Sequence, residues 1–410
     1  MARKILLIII DGLGDRPTPK FENKTPLQAA KIPNLNLLTK NGICGLVTPY
    51  LLPWQKEPDS DTSHLAIFGY DPKIYYLGRG PYEAAGIGMK MKEDDIALRV
   101  NLGTVDERLK VIDRRAGRIE KINSLANSIS GIVIKNVKFI LKSSLSHRAV
   151  LILHGKNLSD KISDSDPQRI GKRILKVKPF SCDGKLSQEE LKKAKFTAEI
   201  LNKFLERSYQ ILKNHPLNKG REEGGFLPAN YLLLRGAGKF KRHPSFYQRY
   251  KLRGVCIAGG GLYKGVAEIL GMNLIKVKGA TGTPGTNIKG KFLAAKNALK
   301  KYDFVFCHIK GADILGHDGN FNGKKEFLEK VDKNLKILLP LKNTILVVTG
   351  DHSTPCFLMR HSKDPIPILI SGGKIKPDPI DKFCEKDCRR GKIGIIKQID
   401  TMKKILKLRH

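Results

Sequence analysis

Three aspartates and three histidines stand where a metal site would need them. Asp11 closes an apolar run, Ile5 to Ile10. Asp313 and His317 lie just beyond a second run, Phe304 to Ile309. Their i, i+4 spacing puts both on one face of a helical turn, as two ligands of one ion require. Asp351 and His352 end a third run, Ile345 to Thr349, and His361 follows. Alone, a strand-end aspartate is ordinarily a turn or cap residue, and a lone histidine is core or surface filler. Six in matching positions point to ligands, because open parallel sheets gather them beyond the carboxyl ends of their strands. A mixed Asp/His set suits a pair of borderline divalent ions such as Mn²⁺ or Zn²⁺ better than a single Mg²⁺.

A nucleophile is offered by Pro58-Asp-Ser-Asp-Thr-Ser-His64. Ser60 sits where a helix begins, and a helix N-terminus favours phosphate through its free N–H groups and dipole. The plain alternative is that Ser60 only caps the helix. Spacing alone does not choose among Ser60, Thr62 and Ser63.

The elements that must position these residues follow from the pattern. The three continuous apolar runs read as buried parallel strands, alternating with helices over Lys289 to Lys301 and Lys325 to Leu338. That alternation predicts an α/β domain with a mostly parallel sheet flanked by helices. The middle differs. It is Lys- and Ser-rich, with a short strand at Ala149 to Leu153 and one long helix, Ser187 to Lys213. We read residues 101–253 as a smaller α+β domain inserted into a discontinuous one, residues 1–100 and 254–410.

Composition narrows the class. The 410 residues carry 75 − 39 = +36 charges and are 41% apolar. Such a chain is neither collagen-like nor disordered. Its longest aliphatic run falls far short of the roughly 20 residues of a spanning helix, so no membrane partner is expected. Lysine and arginine are spread along the whole chain, without zinc-finger or aromatic RNA-binding motifs, so no specific nucleic-acid partner is expected either. Seven scattered cysteines, Cys182 among them, read as reduced thiols of a cytoplasmic protein. The Cys384/Cys388 pair lacks a second pair and is not expected to bind zinc.

Several segments occur together in a telling order: Leu7 to Asp15, Ser60-Asp-Thr-Ser-His64, Gly78-Arg-Gly-Pro81, Asp113 to Ile119, Leu158-Ser-Asp-Lys161, Gly311-Ala-Asp313 through His317-Asp-Gly, and Gly350-Asp-His352. Over residues 2 to 375 the chain resembles the archaeal-type, cofactor-independent phosphoglycerate mutases of the alkaline phosphatase superfamily. The resemblance implies an alkaline-phosphatase-like sheet and a substrate-clamping insert that closes as a lid. It implies two divalent ions, Mn²⁺ first, with Zn²⁺, Co²⁺ or Mg²⁺ as alternatives, and no 2,3-bisphosphoglycerate.

One ion would be held by Asp313, His317 and His361, the other by Asp11, Asp351 and His352 with Ser60. The family's nucleophile precedes the motif histidine by four residues, which selects Ser60 before His64. Lys264 is implied to offset charge near the nucleophile, Arg235 to grip the acidic substrate, and Arg114 and Arg118 to bind anions. Asp59 departs from the family's usual glycine, and the tail beyond Ile375 matches nothing recognised. The implied reaction interconverts 3-phosphoglycerate and 2-phosphoglycerate through a phosphoserine, on a small acidic substrate, in a chain compatible with a homo-oligomer. Alternatives are another phosphotransfer enzyme of the superfamily (a phosphatase or a phosphosugar- or phosphonate-acting relative) and a catalytically dead polyanion binder.

Overall fold

The computed structural model describes residues 3–181, 184–373 and 375–409, so Cys182 lies outside the described residues. The chain forms two compact units, residues 1–76 with 243–410, and residues 77–242.

The first unit is built on an eight-stranded sheet. From one edge its strands are Asn273–Leu274, Gly254–Ile257, Phe304–Ile309, Lys4–Ile10, Thr344–Thr349, Ile366–Ser371, Gly42–Thr48 and Gly394–Lys397. The three apolar runs of the sequence are neighbours at its centre, and Lys4–Ile10 pairs in parallel with the other two. Every residue of Phe304–Ile309 and Thr344–Thr349 is buried, which is why these strands carry no polar alternation. The register sets Ile10 beside Ile309 and Ile9 beside Thr349. The residues just past each strand, Asp11, Lys310 and Asp351, therefore leave the sheet at one end. Only Ile366–Ser371 opposes both neighbours, so the sheet is mostly parallel, as expected. Helices Ile288–Ala298 and Phe321–Leu335 begin slightly earlier than the sequence suggested, capped by the Asn287 and Asn320 side chains.

The second unit carries an antiparallel sheet ordered Val111–Asp113, Ile96–Val105, Arg148–His154, Val137–Ser143 and Val133–Ile134, with Tyr231–Lys239 also on Ile96–Val105. The helix Gln188–Lys213, capped by Ser187, covers it, with Phe204 stacked on Phe139 at 4.3 Å between centroids. The unit spans 77–242 where the sequence suggested 101–253. Its start is earlier because the helix Arg79–Gly86 lies on strand Ile96–Val105, so closely that a Cβ on Gly80 would meet the Ala97 carbonyl at 1.9 Å. Its end is earlier because the next segment packs into the first unit. There the Tyr70 hydroxyl donates to the Pro244 carbonyl at 2.9 Å, and the Phe246 and Phe304 rings lie 4.6 Å apart.

Beyond Ile375 the chain stays part of the first unit, since Gly394–Lys397 pairs with Gly42–Thr48. Cys384 donates to Asp387 at 3.1 Å and Cys388 lies against Cys44. Among the described residues, no helix is long and apolar enough to cross a membrane.

Candidate active site

The chain turns sharply after Asp11. Gly12 has φ +69°, and a Cβ there would meet Asp313 Cα at 2.6 Å. Glycine is thus required for the first and second strand ends to approach each other. Its N–H donates to Asp351 Oδ1 at 3.2 Å, which ties in the third.

All six sequence-predicted ligands come together, as two groups. Asp313, His317 and His361 form one and Asp11, Asp351 and His352 the other, with the donor atoms of each within 4.8 Å of one another. In the first, Asp313 Oδ1 is 3.4 Å from both His317 Nε2 and His361 Nε2. The Pro58 carbonyl accepts from His361 Nδ1 at 2.7 Å and the Met359 carbonyl from His317 Nδ1 at 3.0 Å. Those bonds fix both rings and turn the two Nε2 atoms, 3.1 Å apart, toward Asp313, as ligands of one ion would be turned. In the second, His352 Nε2 is 3.3 Å from Asp351 Oδ2 and 3.6 Å from Asp11 Oδ1.

The donor set fits divalent ions. Asp11 Oδ1 and Asp351 Oδ2 are buried and have no hydrogen-bond partner, an arrangement that only a cation makes favourable. The electrostatics agree. Burial, with Asp11 and Asp313 nearby, holds the Asp351 carboxyl well above its usual range. Burial works the same way on Asp11, but Lys310 and His308 hold it well below. Three carboxylates this close do not all ionise without more positive charge.

Ser60 opens the helix Ser60–Ile67, every residue of which is buried. Asp59, not Ser60, occupies the capping position, and its side chain makes no cap bond. It accepts instead from Gln55 Nε2 at 2.9 Å. Ser60 Oγ points at His352 Nε2, 3.1 Å away, beside the second group. Thr62 Oγ1 instead donates to the Asp59 carbonyl at 3.1 Å, and Ser63 Oγ is buried without a partner. The geometry therefore separates the three hydroxyls that spacing left equivalent. His64 anchors the turn by donating from Nδ1 to the Ser60 carbonyl at 2.6 Å.

Lys264 lies on the helix Gly261–Ile269 and makes no hydrogen bond or ion pair with these ligands. The ammonium that does is Lys310, with Nζ 2.7 Å from Asp313 Oδ2 and 3.1 Å from Asp11 Oδ2. Sequence reasoning also missed Tyr263 and His308, whose hydroxyl and Nε2 meet Asp11 Oδ2. It missed Gln398 too, whose side chain donates to the Asp351 carbonyl at 2.6 Å. Lys310 follows directly on a recognised strand and was legible as a strand-end polar residue. Tyr263, His308 and Gln398 carried no such signal.

The arginines belong to the second unit. Arg114 grips Asp166 as a fork, Nη2 to Oδ2 at 2.6 Å and Nε to Oδ1 at 3.1 Å. Arg235 Nε is 3.5 Å from the same carboxylate, and its Nη1 donates to Gln168 at 3.0 Å. Arg118 is exposed and does not join this pair. Burial and the neighbouring Arg79, Arg235 and Arg148 push the Arg99 guanidinium down to about 9. Cations so crowded favour an anion.

Sheet and ligand set together define a metalloenzyme, and comparison with known proteins agrees: the Metalloenzyme superfamily matches residues 3–408. The match thus extends through the tail that the sequence left unassigned. The chain is 46% identical to 2,3-bisphosphoglycerate-independent phosphoglycerate mutase 1 of Methanocaldococcus jannaschii, covering 99% of this chain and 97% of the relative. It is 44% identical to the corresponding Picrophilus torridus protein, covering 99% and 98%. Among solved structures, the cofactor-independent phosphoglycerate mutase of Thermoplasma acidophilum is similar with TM-score 0.72 at 36% identity, covering both chains fully. A Pyrococcus horikoshii protein is similar with TM-score 0.84 at 34% identity, covering 100% and 97%. Within the superfamily, this chain belongs to the 2,3-bisphosphoglycerate-independent phosphoglycerate mutases.

Proposed function

We propose that the protein interconverts 3-phosphoglycerate and 2-phosphoglycerate without 2,3-bisphosphoglycerate, through a phosphoserine at Ser60. The observation that carries this reading is Ser60 Oγ beside His352 at the edge of two Asp/His groups. Asp11, Asp351, His352 and Ser60 are assigned to one ion, and Asp313, His317 and His361 to the other. Bound there, divalent ions supply positive charge that favours an ionised serine and offsets charge on phosphoryl oxygens.

Ser60 Oγ attacks phosphorus, and the new O–P bond forms as the glycerate ester bond breaks; the departing glycerate oxygen takes up a proton. Glycerate then turns, and its other hydroxyl attacks the phosphoserine, loses its proton and regenerates Ser60. Neither water nor a second phosphate donor is consumed. The crowded arginines of the second unit, Arg235 and Arg114 with Arg79, Arg99 and Arg148, suit a small, doubly acidic substrate. Lys264 and Arg118 stay in the proposal on motif alone. Manganese is the ion we assign first, and the cytoplasm the location.

The test is a coupled assay of the Mn²⁺-loaded protein with 3-phosphoglycerate and no 2,3-bisphosphoglycerate. Turnover is expected, lost on chelation and restored by Mn²⁺. Full activity in a thoroughly chelated sample would contradict the two-metal reading.

A further inference from the structure

Lys310 stands between the two ligand groups. It follows strand Phe304–Ile309, level with Asp11 across the parallel register. Its ammonium reaches Asp313 Oδ2 at 2.7 Å and Asp11 Oδ2 at 3.1 Å, one carboxylate from each group, and lies 5.5 Å from the Tyr263 ring centroid. These are the outer oxygens. Asp313 Oδ1 faces His317 and His361, and Asp11 Oδ1 faces His352 without a hydrogen-bond partner. Thr354 Oγ1 also donates to Asp313 Oδ1, at 2.9 Å. The lysine therefore meets both carboxylates through the oxygens that face away from the histidines, and Asp11 Oδ1 keeps no hydrogen-bond partner.

Lys310 is a quarter exposed, and its surroundings differ from those of the two fully buried lysines. Lys324 takes one carboxylate, Asp15, and two carbonyls, of Gly14 and Thr354. Lys291 takes only carbonyls. Their bonds tie backbone together, whereas Lys310 bonds only to carboxylates of the two ligand groups.

Buried like charges this close oppose folding unless compensated, and removing one partner of a buried ion pair leaves the other uncompensated. We infer that Lys310 is a resident counter-cation, shared by the two ligand groups, that lets the metal-free site fold with its carboxylates in place. The inference rests on the two-metal reading above. It assigns Lys310 a role through Asp11 and Asp313, as a positioning residue, and makes metal loading a step that follows folding.

The experiment compares thermal unfolding of wild type, Lys310→Met and Lys310→Arg, each in chelator and in saturating Mn²⁺, with bound metal measured separately. Methionine keeps the volume of the stem and removes the charge. In chelator the Lys310→Met midpoint is expected to fall by about 5 °C or more. In Mn²⁺ it should return to within a degree or two of wild type, so that the metal-induced rise is larger in the variant. Lys310→Arg keeps the charge and should match wild type in chelator.

Equal losses with and without metal would mean that Lys310 merely fills space, and would overturn the inference. So would an unchanged midpoint in chelator. Should Lys310→Met not fold even in Mn²⁺, Lys310→Arg decides: a wild-type midpoint in chelator supports a charge role, and failure to fold overturns it. If wild type itself binds no divalent ion, the two-metal reading is what fails, and the bound-metal measurement separates that case.

Discussion

Deleting one oxygen separates a nucleophile from a merely buried hydroxyl. Ser60→Ala is expected to lower turnover by roughly several thousandfold or more, as loss of a nucleophile does. Bound metal should change little, because Asp11, Asp351 and His352 remain. Ser63→Ala should cost far less, since Ser63 Oγ touches none of the ligands. Turnover of both variants, with mass spectrometry of acid-quenched wild type for phosphoserine, checks the pair. An active Ser60→Ala with a dead Ser63→Ala would reverse the assignment. The six candidate ligands were legible because buried parallel strands advertise their ends, and Asp or His just past such an end is conspicuous. Lys310, although at a recognisable strand end, was not singled out, because a lysine is no metal-ligand type and the chain has 75 Lys and Arg. Tyr263 and His308 carried no mark in the sequence, and only the fold turns their polar atoms toward Asp11.

The short tail helix Glu385–Cys388 braces the loop that follows Asp11. Glu385 accepts from the Asp15 N–H at 3.1 Å and from the Thr25 hydroxyl at 2.8 Å. Burial pushes its carboxyl up from 4.5 to about 7. The folded state therefore holds this proton more tightly than the unfolded chain. The associated stability is complete below the unfolded pKa and is lost as pH rises through about 7. Relative to Glu385→Gln, wild type should thus lose on the order of 1–3 kcal/mol between acid and pH 8. Denaturant melts of both proteins across that range measure the difference, and a flat difference would disprove it. At this scale the sequence disclosed the central strands and the long helix through periodicity and length. It did not disclose that Ile366–Ser371 runs backwards, because an apolar strand carries no mark of direction. Nor did Gly394–Lys397 stand out, being four residues long and half exposed. The start of the insert at residue 77 depends on how closely Gly80 approaches Ala97, a contact that composition does not report.

For the molecule as a whole, the +36 charge is expected to be incidental to turnover. Exposed lysines act through a field screened within about 8 Å at 0.15 M salt, whereas buried site charges are screened far less. Binding to heparin or DNA should vanish by a few tenths molar salt, roughly as counterion release dictates, while turnover persists. Tight, sequence-selective DNA binding in that salt would contradict this.

The position of Lys4–Ile10 in the sheet has a consequence for how the protein is made. It is the first strand in the chain, yet it lies between Phe304–Ile309 and Thr344–Thr349. A ribosome adding about 5–20 residues per second reaches the second partner some 20–70 s after the first strand is made. For most of that interval, until Phe304–Ile309 is made, six consecutive aliphatic residues have neither neighbour to pair with. Residues 77–242, contiguous and with a core of their own, have all their partners long before then. The nascent chain thus carries a finished insert and an unmated sticky strand, a species that ribosome-associated chaperones and premature termination would affect far more than the completed enzyme.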